Sequence, residues 1–285
     1  MPLFEIVPNF SEGRNPAFLI DAAETIAGSG ARLLHSTSDA AHHRSVLTIA
    51  GDGNSVVRAA VWLAGFAAER IDLRAHRGVH PRIGALDVLP FVPLRDASIG
   101  DATVLAHRAG NEIWERWRIP SFYYGAAAQA TSRRQLPAVR RGGFEGLDAR
   151  FSDPGWHPDV GNVAKHETAG AIAIGARDVL IAFNVELDSD DEPAALGIAM
   201  ALRGRNGGPN GLRALAFRMN DGRMQVSFNV TDVRSLALYR IVELVRRLAG
   251  RRGITVARSE LIGCLPLGAV KQTASYYLGT SEEIH

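Results

Sequence analysis

Apolar residues recur along this chain at two spacings, and the switch between them marks out its elements. Leu3 to Val7 reads as a short strand and Pro8 to Gly13 as a polar loop. Asn15 can cap a helix opening at Pro16. In it Phe18, Leu19, Ala22, Ala23 and Ile26 recur at helical spacing until Gly28-Ser29-Gly30 stops it. Arg32 to Thr37 and Ser45 to Ala50 read as strands, joined by a polar link with Asp39, His42, His43 and Arg44. Gly51 to Asn54 forms a turn and cap for a second amphipathic helix over Val56 to Ile71, and Leu86 to Val92 closes the set as a strand. The order is β-α-β-β-α-β.

The second half repeats that order. Val179 to Glu186 predicts a strand, and Glu192 to Leu202 a helix behind the acidic start Asp188-Ser189-Asp190. Leu212 to Met219 and Gln225 to Val230 predict a hairpin around the Asp221-Gly222 step. Val233 to Leu248 predicts a helix capped by Thr231 or Asp232 and stopped at Gly250. Ile254 to Leu261 is the last strand. Two βαββαβ units in succession describe an α+β fold of two ferredoxin-like subdomains. Between them Ser98 to Trp117 reads as a helix and Ile119 to Tyr124 as a strand. Thr131 to Gly146 is rich in arginine and glycine. Phe151 to Gly170 takes no assignment; a connection that long tends to be functional. The junction is expected there, giving subdomains 1–170 and 171–285.

Composition narrows the class. A chain of 285 residues, 46% hydrophobic, can bury a sizeable core. Its 32 basic residues nearly balance 30 acidic ones, which gives no case for nucleic acid. No apolar run reaches about 18 residues, so no membrane span is expected, and the N-terminus lacks a secretory pattern. The one cysteine, Cys264, excludes an intrachain disulfide and fits a reducing, cytoplasmic compartment. Its apolar neighbours predict a buried, inert thiol.

Candidate chemistry centres on His76-Arg77-Gly78-Val79-His80-Pro81-Arg82-Ile83-Gly84, which leads into an apolar strand. One reading is a loop presenting His80, an imidazole that titrates near neutrality, between Arg77 and Arg82. The other is a polar connector with a hydrogen-bonded histidine. The histidines His35, His42, His43, His76, His80 and His166 lack metal-ligand spacing, so no metal is expected. The glycine-rich run Gly204 to Gly211 has neither a phosphate-loop tail nor dinucleotide spacing, and no nucleophile elbow exists. General acid–base chemistry by His80 in an arginine-lined cleft remains.

Several motifs in register carry a resemblance over essentially the whole chain. Val7-Pro8-Asn9-Phe10-Ser11-Glu12-Gly13-Arg14-Asn15 resembles the opening signature of the formiminotransferase family. His80-Pro81-Arg82-Ile83-Gly84-Ala85-Leu86-Asp87-Val88 is similar to its catalytic loop. Tyr124 to Ala127, Arg133 to Pro137, Pro158 to Gly161, Gly170 to Val185 and Gln225 to Asn229 follow in the same order. The resemblance implies transfer of a formimidoyl group between N-formimidoyl-L-glutamate and tetrahydrofolate, within histidine degradation, with folate in a groove between the subdomains. It implies His80 as the general acid–base, tetrahydrofolate as co-substrate, no metal, and a homodimer. In the animal bifunctional enzyme a cyclodeaminase domain follows; this chain ends at His285, so that second activity is expected to be supplied elsewhere or absent.

By the same resemblance, Arg44 and Arg82 are candidates to hold carboxylates, with structural ion pairs as the competing reading. Gly161, Asn162, Lys165, His166, Thr168 and Gly170, with Gly207, Gly208 and Gly211, fall in the family's folate-contacting regions. An exposed polar loop is the competing reading for Lys165 and His166. The chain departs from the family's usual residues at His43, where asparagine is frequent. A non-catalytic folate-binding relative, or transfer of another one-carbon unit or to another amino acid, is the alternative.

Overall fold

The computed structural model of the chain describes residues 1–40, 42–78, 81–219, 221–233 and 235–280. His80 and Val79 lie outside them. The chain divides into two compact units, Met1–Asp178 and Val179–His285.

In the first unit the strands β1 (Leu3–Ile6), β2 (Asn9–Phe10), β3 (Arg32–Asp39), β4 (Arg44–Gly51) and β5 (Leu86–Arg95) form an antiparallel array. β1 and β2 are consecutive pieces of one course, both seated between β4 and β5. With β3 outside β4, the spatial order is that of a ferredoxin-like sheet. α1 (Ala17–Thr25) and α2 (Gly53–Arg70) are its crossover helices. The Asp52 side chain accepts from the Asn54 and Ser55 amides and so starts α2. α3 (Ile99–Trp117) follows, opened by the reciprocal cap of Ser98 and Asp101. α2 and α3 pack closely because Gly65 carries no side chain: a Cβ there would stand 2.2 Å from the Trp117 ring.

Beyond β5 the sheet gains β7 (Ile172–Ala176) and β6 (Ser121–Gly125), both in parallel pairings. β7 was not expected as a strand. Its pairing with β5 and β6 keeps residues 171–178 in the first unit, so the division falls after Asp178 rather than at 170. Between β6 and β7 lie the short helices α4 (Leu136–Val139) and α5 (Leu147–Phe151) and a mostly irregular segment.

The second unit contains β8 (Ile181–Leu187), α6 (Glu192–Leu202), β9 (Leu212–Arg218), β10 (Met224–Val230), α7 (Leu238–Gly250), β11 (Val256–Ile262) and α8 (Leu267–Leu278). The strand order β11-β8-β10-β9 is again ferredoxin-like. On β10, Met224, Val226, Phe228 and Val230 are buried while Gln225, Ser227 and Asn229 are not, the period-two pattern of a sheet covered on one face. α7 begins at Leu238, later than its apolar pattern predicts. The Asp232 carboxylate instead holds a turn by accepting from the Ser235 amide. Cys264 is exposed, not buried: it follows the edge strand β11, most of which faces solvent.

Candidate active site

The loops at one end of the first sheet are stitched together by backbone hydrogen bonds. Ser11 N–H donates to the Ala85 carbonyl (2.9 Å) and Ala85 N–H to the Ala169 carbonyl (2.9 Å). Ala171 N–H donates to Ile83 (3.0 Å), Leu73 N–H to Thr168 (2.9 Å) and Phe144 N–H to Arg82 (2.8 Å). Segments 72–78, 81–87, 143–145 and 166–171 are thereby held together. Gly170 makes the closest approach. It adopts φ +71°, and a Cβ there would lie 2.1 Å from the Ile83 carbonyl oxygen. Only glycine accepts both conditions without displacing its neighbour.

Two charged clusters stand on this frame. In the first, Asp87 sits fully buried near the start of β5. Its Oδ2 accepts from Arg44 Nη1 (3.0 Å) and from Arg140, and its Oδ1 from the Ile83 amide (2.8 Å). Burial alone would raise the Asp87 carboxyl; Arg140, Arg44 and the Ile83 amide outweigh that and hold it below the ordinary carboxylate range. Burial pushes Arg44 down to about 10, with Arg140 adding to the effect and Asp87 opposing it. Arg44 also donates twice to Asn9 Oδ1, at 2.8 and 3.2 Å. Two guanidiniums thus share one carboxylate, and Arg140 Nε is buried with no partner.

The second cluster is built on Arg82. Its guanidinium makes a bidentate pair with Glu145, at 2.7 and 3.1 Å, and its Nε donates to His76 Nδ1 at 2.9 Å. The His76 ring stacks on His43, centroids 4.3 Å apart and 25° between planes. His43 adopts φ 52° and its Nδ1 accepts from the Gly13 amide at 3.1 Å. Burial lowers both imidazoles; at His76 the neighbouring His43 and Arg82 add to it, while at His43 Glu12 opposes it. Both rings are therefore biased to the neutral form at neutral pH.

The remaining candidates are placed as follows. His166 closes its own turn: its Nδ1 accepts from Ala169 N–H at 3.1 Å, and its backbone exchanges two hydrogen bonds with Gly170. Burial lowers its pKa, with Glu167 opposing. Thr168 supplies the carbonyl that Leu73 uses. Lys165 pairs with Asp148 at 2.7 Å, with its ammonium 4.4 Å from the Phe144 ring centroid. Gly161 packs against Trp114 and Pro120, and Asn162 is exposed beside it. Gly207, Gly208 and Gly211 belong to the second unit, in the turn between α6 and β9. The structure therefore groups Arg44, Arg82, His166, Thr168 and Gly170 on one set of loops. Arg82 is spent on Glu145 and His76, and Arg44 in part on Asp87. Asp87, Arg140, Glu145 and His76 were not singled out as site residues. The arginine pair at 140–141 and the acidic residue inside an apolar strand were the available signals. Among the described residues, no group of three or more His, Cys, Asp or Glu could hold a metal ion, and no helix is long and apolar enough to cross a membrane.

Each of the two units has ferredoxin-like strand order, and the first carries arginine–carboxylate clusters and two stacked imidazoles; comparison with known proteins supplies the class. Residues 3–177 match the formiminotransferase domain, N-terminal subdomain, and residues 182–285 the formiminotransferase domain. The chain belongs to the formiminotransferase family and is a transferase. It is 40% identical to a glutamate formimidoyltransferase of Streptococcus pyogenes serotype M1 over 97% of this chain and 93% of that one. It is 41% identical to a glutamate formimidoyltransferase of Thermoplasma acidophilum over 98% of this chain and 93% of that one. A formimidoyltransferase-cyclodeaminase of Rattus norvegicus is 36% identical over 96% of this chain, which spans 52% of that protein.

Proposed function

We propose that this protein transfers the formimidoyl group between N-formimidoyl-L-glutamate and tetrahydrofolate, with His80 as general acid–base. The observation that carries this reading is the near-complete match to glutamate formimidoyltransferases, over 97% of this chain at 40% identity. A folate amine attacks the amidine carbon and forms a tetrahedral intermediate. The attacking nitrogen then loses a proton and the departing glutamate nitrogen gains one. One imidazole poised near neutrality can serve both transfers, an effect of about 10²–10⁴-fold.

In the first unit, Arg44 and Arg140 bring two positive charges to one buried carboxylate. Arginine forks suit carboxylates, which makes this pair the candidate for holding one of the substrate. Arg82 acts differently in this scheme: its fork is filled by Glu145, so it positions His76 and the loop rather than gripping substrate. Tetrahydrofolate is a co-substrate, and the scheme uses no metal. The same reading makes the protein a cytoplasmic homodimer acting in histidine degradation; its single cysteine fits a reducing compartment.

The test is product analysis. The purified chain is incubated with tetrahydrofolate and N-formimidoyl-L-glutamate, and mass spectrometry follows free glutamate and formimidoyl-tetrahydrofolate. Both should appear in equal amounts. Folate binding with no product under any formimidoyl amino acid would favour a non-catalytic binder.

A further inference from the structure

We propose that His76 is a positioning residue for the transfer reaction: its Nδ1, by accepting from Arg82 Nε, latches together the two ends of the stretch that contains His80, and a proton on Nδ1 releases the latch. The proposal rests on the transfer reading above for the role of His80; the latch itself stands on contacts between described residues.

Side chains make the latch. Arg82 is 9% exposed and reaches back along the chain to residue 76. Its Nε donates to His76 Nδ1 at 2.9 Å and its Nη2 to the His76 carbonyl at 3.3 Å. The Glu145 carboxylate accepts from both terminal nitrogens of the same guanidinium, at 2.7 and 3.1 Å, and so fixes its plane. Beyond Arg82 the backbone is tied down separately: the Arg82 carbonyl accepts from Phe144 N–H at 2.8 Å, and Ile83 N–H donates to Asp87 at 2.8 Å. Joining residue 76 to residue 82 closes a loop over residues 77–81 and restricts the conformations open to all of them, His80 included.

The imidazole is oriented for this task. Its ring stacks on His43 and also bonds to the His43 backbone. With Nδ1 taken by Arg82, that bond falls to Nε2–H, so the latched tautomer is protonated at Nε2 and bare at Nδ1. Gly78 leaves the ring its room, since a Cβ there would stand 3.0 Å from His76 Cε1.

Latching and protonation exclude each other. A proton on Nδ1 would set one N–H against another and place a second positive charge beside a guanidinium. The charged and titratable groups around the ring are His43, Arg82 and Glu12, with Arg77 donating to the His76 carbonyl at 3.0 Å and Glu145 behind Arg82. Burial, His43 and Arg82 together outweigh the His43 backbone bond and Glu12, and hold the ring below the ordinary imidazole range. The latch is therefore intact at neutral pH and is lost as pH falls through the folded His76 value.

Two variants of the full chain test this with N-formimidoyl-L-glutamate and tetrahydrofolate. His76→Asn places an oxygen where Nδ1 stands, an acceptor that takes up no proton. His76→Leu has similar bulk and no acceptor. At neutral pH His76→Leu should lose about 10- to 100-fold in kcat, the scale of a misplaced catalytic group, with both KM values within about twofold of wild type. His76→Asn should recover most of that kcat, and on the acid side it should hold its rate to lower pH than wild type. Equal loss in both variants, a wild-type kcat in His76→Leu, a loss confined to KM, or wild-type and His76→Asn profiles that fall together on the acid side overturns the proposal.

A second measurement needs no turnover. ¹⁵N spectra of the unliganded wild type follow Arg82 Nε–H and the His76 ring through a pH titration. The Arg82 signal should shift at the His76 midpoint, and His76→Asn should abolish that step. An Arg82 signal indifferent to the titration of His76 overturns the latch even in an active enzyme. Coupled signals in a protein that transfers nothing count against the transfer reading instead.

Discussion

Replacing Asp87 with asparagine removes the one negative charge that two buried arginines share. Asp87 has no exposed surface, and Arg44 and Arg140 both end on its Oδ2. Asparagine keeps the volume and can still accept from the Ile83 amide, but its other end presents N–H groups or an uncharged oxygen to two cations. Breaking a buried pair by removing one partner costs about 3–5 kcal/mol. Trp62, Trp114, Trp117 and Trp156 all lie in the first unit, so urea unfolding followed by tryptophan fluorescence reports on that unit. With a slope of about 2 kcal/mol per molar urea, the midpoint should fall by roughly 1.5–2.5 M. The pH dependence has a fixed sign. The folded Asp87 pKa is depressed, so its contribution is complete above the unfolded value of about 3.9 and is lost as pH falls through the folded one. The gap between wild type and Asp87→Asn should thus be constant from about pH 5 upward and narrow below about pH 4. Adding Arg140→Met should relieve part of the damage, so the double variant loses about 0.5–3 kcal/mol less than the sum of the singles. A midpoint within about 0.5 M of wild type, against the drop anticipated from the slope, would refute the shared-carboxylate argument.

Two further outcomes are expected. Gly170→Ala forces a side chain into a left-handed position against the Ile83 carbonyl, which should cost at least about 2 kcal/mol and lower turnover, read by the same unfolding curve and by initial rates. Lys165→Ala removes an ion pair whose partner Asp148 has a 68% exposed side chain, so stability should change by less than about 1 kcal/mol. If that variant instead loses more than tenfold in folate affinity, Lys165 reaches the ligand as well as Asp148.

The βαββαβ repeat was legible because β1, β3, β9 and β10 alternate in burial along their length, while the Asp221-Gly222 step marks the hairpin. β7 was not, for a physical reason. Ile172-Ala173-Ile174-Gly175-Ala176 is buried on both faces between parallel neighbours, so alternation vanishes and only a short apolar run remains. The start of α7 was misplaced because Val233 and Leu236 continue its apolar spacing through a turn. Cys264 has apolar neighbours in sequence, but they follow an edge strand and its side chain meets solvent. The histidine loop stood out from local composition, and Arg44 came with the family resemblance. The pairings that build the site did not: Arg44 meets Asp87 and Arg140, and Arg82 meets Glu145, across separations that no local pattern encodes. Charge type indicated which residues could pair, and the sheet decided which ones did.

The central claim concerns the proton traffic of one imidazole, and His80→Ala measures it most directly. Single-turnover transfer from N-formimidoyl-L-glutamate to tetrahydrofolate should slow by about 10²–10⁴-fold, while the tetrahydrofolate dissociation constant, read on the same preparation, stays near that of wild type. Transfer at the wild-type rate by a folded His80→Ala protein would contradict the account.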